Sequence, residues 1–366
     1  VLTVAVFLAI VSAVMTPPDR EYAGYIDFRT LSILFCLMTV MAGLQKLGVF
    51  RNIAKTLLRY TQNTIQLVEV LILLCFFFSM IITNDVSLIT FVPFTFIVLR
   101  LTGEEAVKKL AVPVIILQTV AANLGSMLTP IGNPQNLYLY GKTQMSAGTF
   151  ILLMLPYSLV SLLLLVICGV IVAKRSRIEV RGAEVLLAED EKLEQKKYLL
   201  PAYLLLFVLC LLTVAHLIPY PVTLVTVALA VLLLDRGTII KVDYSLLLTF
   251  VGFFIFIGNM GRMPAFCDFL QKIIGGREVM TAVIASQVIS NVPAALLLSG
   301  FTENITALII GTNLGGLGTM IASMASLISY KQVVRQIPGE KKKYFGWFTI
   351  ANIVFLMILV LENCLL

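Results

Sequence analysis

Charge is what these 366 residues have least of: Asp, Glu, Lys and Arg make up 13% of the chain, while 59% is hydrophobic. Soluble domains carry about 25% charged residues, so this composition belongs to the membrane class. The longest charged stretch, 174–197, is a connector too short to fold by itself, which leaves no room for a soluble catalytic domain. Histidine occurs once, as His216 before a Leu-Ile-Pro-Tyr-Pro turn. That excludes any site built on two imidazoles, and we place this one at a solvated helix end. The six cysteines are scattered, with no Cys-x-x-Cys and no neighbouring histidine. Neither a disulfide framework nor a transition-metal site is expected, and the cysteines read as helix-packing residues. Ser, His and Asp never occur at a spacing that suggests a nucleophilic triad, so the chain does not read as an enzyme. The net charge of +7 would suit nucleic acid, but topology explains it better, and no nucleic-acid partner is expected.

What is present is a duplication. Residues 123–140 and 313–330 align without a gap and share seven identities in eighteen: Asn123/Asn313, Leu124/Leu314, Gly125/Gly315, Thr129/Thr319, Ile131/Ile321, Leu137/Leu327 and Tyr140/Tyr330. Each copy lies in a long uncharged run whose middle is studded with Gly, Pro, Asn, Ser and Thr. Such residues break a helix and leave backbone groups unpaired, which hydrocarbon tolerates only where the break is buried or lines a polar cavity. Paired interruptions at matched places in two halves point to a secondary transporter's binding site. A glycine-rich run at 311–318 resembles a phosphate loop, but no strand precedes it, and a Gly311/Gly315 helix-packing contact is the better reading.

Upstream of each copy lies a second paired feature. Fifteen uncharged residues, 70–84, precede Asp85 and fourteen more follow it before Arg100. At 1.5 Å per residue each arm reaches only about 22 Å, short of the roughly 30 Å hydrocarbon thickness. A re-entrant hairpin turning at Thr83-Asn84-Asp85 fits this, and 279–302 repeats it around Ser290-Asn291-Val292. Glu69, near the end of the first arm, reads as solvated. Asp27–Phe50 also aligns with Asp243–Phe266.

The expected architecture is thus an all-α polytopic membrane protein of two inverted-topology repeats, each with a re-entrant helical hairpin and a broken transmembrane helix. The first repeat covers 1–173, with its hairpin at about 66–100 and its broken helix at about 110–141. A cytoplasmic linker follows at 174–197. The second repeat covers 198–366, with its hairpin at about 279–302 and its broken helix at about 304–331. The helix from Tyr198 to about His216 has no counterpart and the chain begins with Val, so one further N-terminal helix is expected in the natural protein. Threading this order through a bilayer puts 21 of the 27 Lys and Arg on one face. By the positive-inside rule that face is cytoplasmic, residues 174–197 with it, and the C-terminus is extracytoplasmic. The expected location is the cell (inner or plasma) membrane.

Four polar elements are expected to converge near the midplane: the two tips and the two breaks. Their substrate-binding candidates are Asn84, Thr129, Asn133, Asn136, Asn291, Thr319 and Ser323. Half-helix N-termini offer N–H groups to an anion, and freed carbonyls suit a coupling cation. An ionised carboxylate inside a membrane pairs, binds a cation or takes a proton. The coupling-ion candidates are therefore Asp85, Asn84, Gly132, Asn291 and Ala322, with Na⁺ or H⁺ as the coupling ion, no other cofactor, and a helix-capping role for Asp85 as the rival reading.

The Thr/Ser-Asn tips, the run NLGSMLTPIGNPQN and its counterpart NLGGLGTMIASMAS resemble the ion transporter superfamily. That group holds citrate-transporter-like permeases, divalent anion/sodium symporters, arsenite permeases and NhaD-type sodium/proton antiporters. The resemblance implies a scaffold plus a moving transport domain, a homodimer in the lipid membrane, and elevator-type alternating access. The anion symporters carry Ser-Asn-Thr at both tips. This chain matches at Asn84 and Asn291 and departs at the third position, with Asp85 and Val292, which is closer to the arsenite-permease and antiporter branches. The expected function is ion-coupled transport of a small anion or oxyanion, carboxylate or arsenite-like. Na⁺/H⁺ antiport is the alternative, and a non-transporting membrane scaffold is a third reading that leaves the two broken helices without a purpose.

Overall fold

The computed structural model describes residues 1–178 and 199–366. Most of the expected linker, and Tyr198, lie outside the described residues. Those residues are almost entirely helical. In chain order the helices are α1 Leu2–Met15, α2 Tyr22–Tyr25, α3 Phe28–Lys46, α4 Val49–Leu58, α5 Thr64–Ile82, α6 Asn84–Thr102, α7 Glu104–Ser126, α8 Pro134–Gly141 and α9 Ala147–Ser176. Beyond the linker come α10 Leu200–Val214, α11 Tyr220–Leu234, α12 Tyr244–Gly261, α13 Pro264–Ile274, α14 Glu278–Ile289, α15 Asn291–Leu298, α16 Ile305–Leu314, α17 Met324–Gln336 and α18 Lys341–Leu365. Among the described residues, seven helices are long and apolar enough to cross a bilayer: α3, α5, α6, α7, α9, α12 and α18 with the turn before it. The chain is a multi-pass membrane protein.

Each half of the chain holds, in order, a long helix (α3, α12), a short amphipathic one, two helices joined by a single residue (α5 and α6, α14 and α15), and two helices separated by an irregular segment. The amphipathic helices are α4, which buries Phe50, Ala54 and Leu58 on one face, and α13, which buries Leu270 and Ile274. The breaks separate α7 from α8 and α16 from α17. One length differs. The arms α5 and α6 run 19 residues each, about 28 Å rather than the roughly 22 Å of the uncharged runs, because both helices extend past Glu69 and Arg100.

The described residues divide into two compact units, each drawing on both halves of the chain. One holds Val1–Leu44, Pro134–Ser146 and Lys196–Gly315; the other holds Gln45–Asn133, Ala147–Gln195 and Gly316–Leu366. The chain passes from one to the other inside both helix breaks. Within lipid there is no water to drive apolar surfaces together, so helices associate through small residues and polar side chains.

In the first unit α1 runs along α12, where Gly252 lets the Ala5 backbone approach. Asn259 donates from Nδ2 to Ser12 Oγ at 3.1 Å and to the Tyr22 hydroxyl at 2.8 Å. Gly311 and Gly315 bring α16 onto α14, since a Cβ on Gly311 would stand 2.6 Å from the Val279 carbonyl oxygen.

In the second unit α7 is the core helix, with every residue from Leu110 to Ser126 buried except Pro113. Gln118 ties it to both hairpin arms, donating from Nε2 to the Leu71 carbonyl at 2.9 Å and to Thr95 Oγ1 at 2.8 Å. Thr119 Oγ1 donates to Ser329 Oγ at 2.8 Å, joining α7 to α17.

Candidate functional site

Backbone geometry singles out two residues. Thr83, between α5 and α6, has φ 72° and ψ 153°. Ser290, between α14 and α15, has φ 76° and ψ 154°. This region is open essentially to glycine alone, and each residue held there costs of order 1–3 kcal/mol. Both are one-residue hinges followed by asparagine. Asn84 Oδ1 accepts the Asp85 N–H at 2.9 Å, and Asn291 Oδ1 accepts the Val292 N–H at 2.9 Å. Each asparagine thereby satisfies one of the donors that the first turn of a helix leaves unpaired. The turns expected at 83–85 and 290–292 are present, narrowed to a single hinge residue.

In the second unit the Asn84 tip is seated on the break after α7. The Asn84 N–H donates to the Gly132 carbonyl at 3.2 Å, and its Nδ2 to Asn123 Oδ1 at 3.1 Å. Ser323, just before α17, donates to the same Asn123 oxygen at 2.9 Å. Ser126 Oγ donates to the Asn123 carbonyl at 2.9 Å and accepts from Asn133 Nδ2 at 3.3 Å. Thr129 Oγ1 donates to the Met80 carbonyl on the first arm. Only glycine fits at 132, because a Cβ would lie 2.0 Å from the Ser126 carbonyl oxygen.

Five sequence candidates, Asn84, Thr129, Gly132, Asn133 and Ser323, therefore come together in this unit. Asp85 is half-buried in the first turn of α6, where the partial positive end of the helix favours a carboxylate. Ala322 is buried, and its N–H donates to the Thr319 carbonyl at 3.1 Å. The Thr319 residue itself is exposed. Asn136 and Asn291 belong to the first unit. There α15 packs against α8, and Asn136 Oδ1 accepts from Asn313 Nδ2 at 2.6 Å. Asn313 Nδ2 also donates to the Ile309 carbonyl at 2.8 Å.

Sequence reasoning missed Asn123, Ser126 and Asn313. The signal was available for two of them, since Asn123/Asn313 is an identity within the duplicated motif. Glu69 was misplaced as solvated: its carboxylate lies against Gly169 of α9, where a Cβ would stand 2.2 Å from Oε1. Among the described residues neither of its carboxylate oxygens has a hydrogen-bond partner.

The gathered groups are neutral amides, hydroxyls and backbone at helix ends, a set that suits a small polar ion. The family model described as citrate transporter matches residues 1–306. The chain is 31% identical over 342 residues to an uncharacterized transporter of Methanocaldococcus jannaschii, covering 93% of this chain and 89% of that one. It is 31% identical over 320 residues to an inner membrane protein of Escherichia coli, covering 85% and 82%. Over 153 residues it is 32% identical to a silicon efflux transporter of Oryza sativa, covering 41% of this chain and 30% of that one.

Proposed function

The chain belongs to the citrate transporter family of membrane transporters, and we propose that it is an ion-coupled secondary active transporter of a small anion or oxyanion. The family model and the Methanocaldococcus and Oryza relatives are described as transporters, and the chain is not an enzyme. The observation that carries the reading is the pair of strained tips, Thr83-Asn84 and Ser290-Asn291, each in a unit with one side of a broken helix. Strain kept at matched positions needs a purpose, and binding a substrate or coupling ion at freed backbone groups supplies one.

In this reading Asn84, Asn133, Thr129 and Ser323 contact the substrate in the second unit, and Asn136 and Asn291 do so in the first. Asp85 and the carbonyls near Gly132 and Ala322 take the coupling ion, Na⁺ or H⁺. The hairpins are re-entrant and the repeats inverted. The second hairpin supports this by length, since arms of 12 and 8 residues reach about 18 and 12 Å, well short of a bilayer. The first pair, at about 28 Å, is long enough by itself to span. The transporter works as a homodimer by elevator-type alternating access in the cell membrane, with 174–197 cytoplasmic and the C-terminus extracytoplasmic, as the superfamily resemblance and the charge partition imply.

The test is the thermal stability of the purified protein across a panel of anions, with and without Na⁺ and at two pH values. A ligand that binds only the folded state raises stability by mass action. One anion stabilising only together with Na⁺ is the expected result. The carboxylate at the Asn84-Asp85 tip favours Na⁺/H⁺ antiport as a second reading. Stabilisation by Na⁺ or Li⁺ alone, growing with pH and indifferent to the anion, would replace the first reading by the second.

A further inference from the structure

The first copy of the duplicated motif leaves one buried donor over. Asn123 is 5% exposed, and its Oδ1 accepts from both Asn84 Nδ2 and Ser323 Oγ. Among the described residues its Nδ2 has no hydrogen-bond partner. The orientation of the amide follows from the chain itself. The Asp85 N–H fixes which atom of Asn84 is the oxygen, so Asn84 must present Nδ2 to Asn123, and the Asn123 atom facing it must be the acceptor. The two N–H bonds of Asn123 therefore have no partner among the described residues. The matched residue of the second copy shows the alternative: Asn313 Nδ2 is engaged by both Asn136 Oδ1 and the Ile309 carbonyl. A buried donor left unmet is costly. Its retention between a helix break and a strained tip, with both neighbours on its oxygen, is what a ligand contact requires.

We infer that Asn123 Nδ2 donates to an anionic oxygen of the transported ion, a carboxylate or an inorganic oxyanion, and that Asn84 and Ser323 serve to aim it. This rests on the anion-transport reading and adds to it a residue and a polarity: the site selects for an acceptor at this point. A cation, or a ligand presenting only donors, is rejected there. No lysine or arginine is needed, because a neutral amide held rigid by two bonds to its oxygen loses little freedom on binding.

The test uses the purified protein, with citrate and inorganic phosphate as calorimetric probes in the presence and absence of Na⁺. Asn123→Asp keeps an acceptor towards Asn84 and Ser323 and replaces the N–H pair with a second oxygen. The expected result is binding at least tenfold weaker for whichever probe the native chain binds, with the melting temperature of the ligand-free protein unchanged. Asn123→Asp binding as tightly as the native chain overturns the inference and leaves anion transport standing. Weakened binding with a matching fall in ligand-free melting temperature also overturns it, since that marks a structural residue. If Asn123→Asp does not fold, Asn123→Thr, which keeps a hydroxyl but no amide, is judged by the same two measurements. A native chain that binds neither probe overturns the inference, and the anion panel decides separately whether the anion-transport reading stands.

Discussion

Gly125 and Gly315 stand at matched positions, and each lets its helix close on a serine of the neighbouring hairpin arm. A Cβ would lie 2.5 Å from Ser79 Oγ in the first copy and 2.6 Å from Ser286 Oγ in the second. The helices that open each copy are capped alike as well: Asp27 Oδ1 accepts the Thr30 N–H at 2.9 Å, and Asp243 Oδ1 accepts the Leu246 N–H at 3.0 Å. The hinge residues Thr83 and Ser290 share their backbone angles to within a few degrees. The copies part at the polar positions. Asp85 faces Val292 in the alignment, Asn123 keeps a spare donor where Asn313 has none, and Tyr140 meets His216 where Tyr330 meets Tyr344. The backbone devices are matched in the two copies, and these polar positions are not.

The comparison breaks first at the glycines. A Cβ on Gly125 also meets the Phe76 carbonyl oxygen at 2.0 Å, whereas the nearest backbone atom to a Cβ on Gly315 is the Gly311 carbonyl oxygen at 2.8 Å, a milder clash. Gly125→Ala should cost about 3 kcal/mol or more by overpacking, and Gly315→Ala clearly less, read as melting temperatures of the purified variants. Equal losses would mean that the two contacts are equally tight.

Next in size is the strain. Glycine at either hinge removes the steric cost but adds entropy to the unfolded chain. Thr83→Gly and Ser290→Gly should therefore each stabilise by about 1–2 kcal/mol in denaturant titrations. A response from one hinge alone would show that the strain is not shared.

The caps are worth about 1 kcal/mol each. Asp27→Ala should lose somewhat more than Asp243→Ala, because Asp27 also accepts the Thr30 hydroxyl at 2.6 Å. A larger loss from Asp243→Ala would contradict the geometry.

The smallest effect is the pH response of the cluster that only one copy has. His216 accepts from Arg29 Nη2 at 2.9 Å, and burial together with the Arg29 charge holds its pKa below the usual 6.5. A folded-state pKa lowered in this way favours the neutral ring, so its contribution is complete above pH 6.5 and is lost as pH falls through the folded value. Melting temperature should fall slightly over that window, and His216→Asn should flatten the slope.

Much of this molecule was readable from local chemistry. Uncharged runs mark the apolar helices, and the Gly, Pro, Asn, Ser and Thr within them mark where helices end. These features are written in neighbouring residues and do not depend on distant contacts. The uncharged runs alone understate the reach of the first hairpin's arms, which extend past the charges that bound them. Helix α5 continues through Glu69 because Gly169, a hundred positions later, makes room for the carboxylate. The duplicated motif marks Asn123 by its identity with Asn313 but not by its contacts, because its two partners, Asn84 and Ser323, lie 39 and 200 residues away. The sequence by itself determined the membrane class, the helical order and the paired interruptions, since hydrocarbon imposes those rules segment by segment. Only the tertiary structure decided which amide is saturated and which keeps a donor, because a hydrogen bond between distant residues exists only after the helices that carry them have packed.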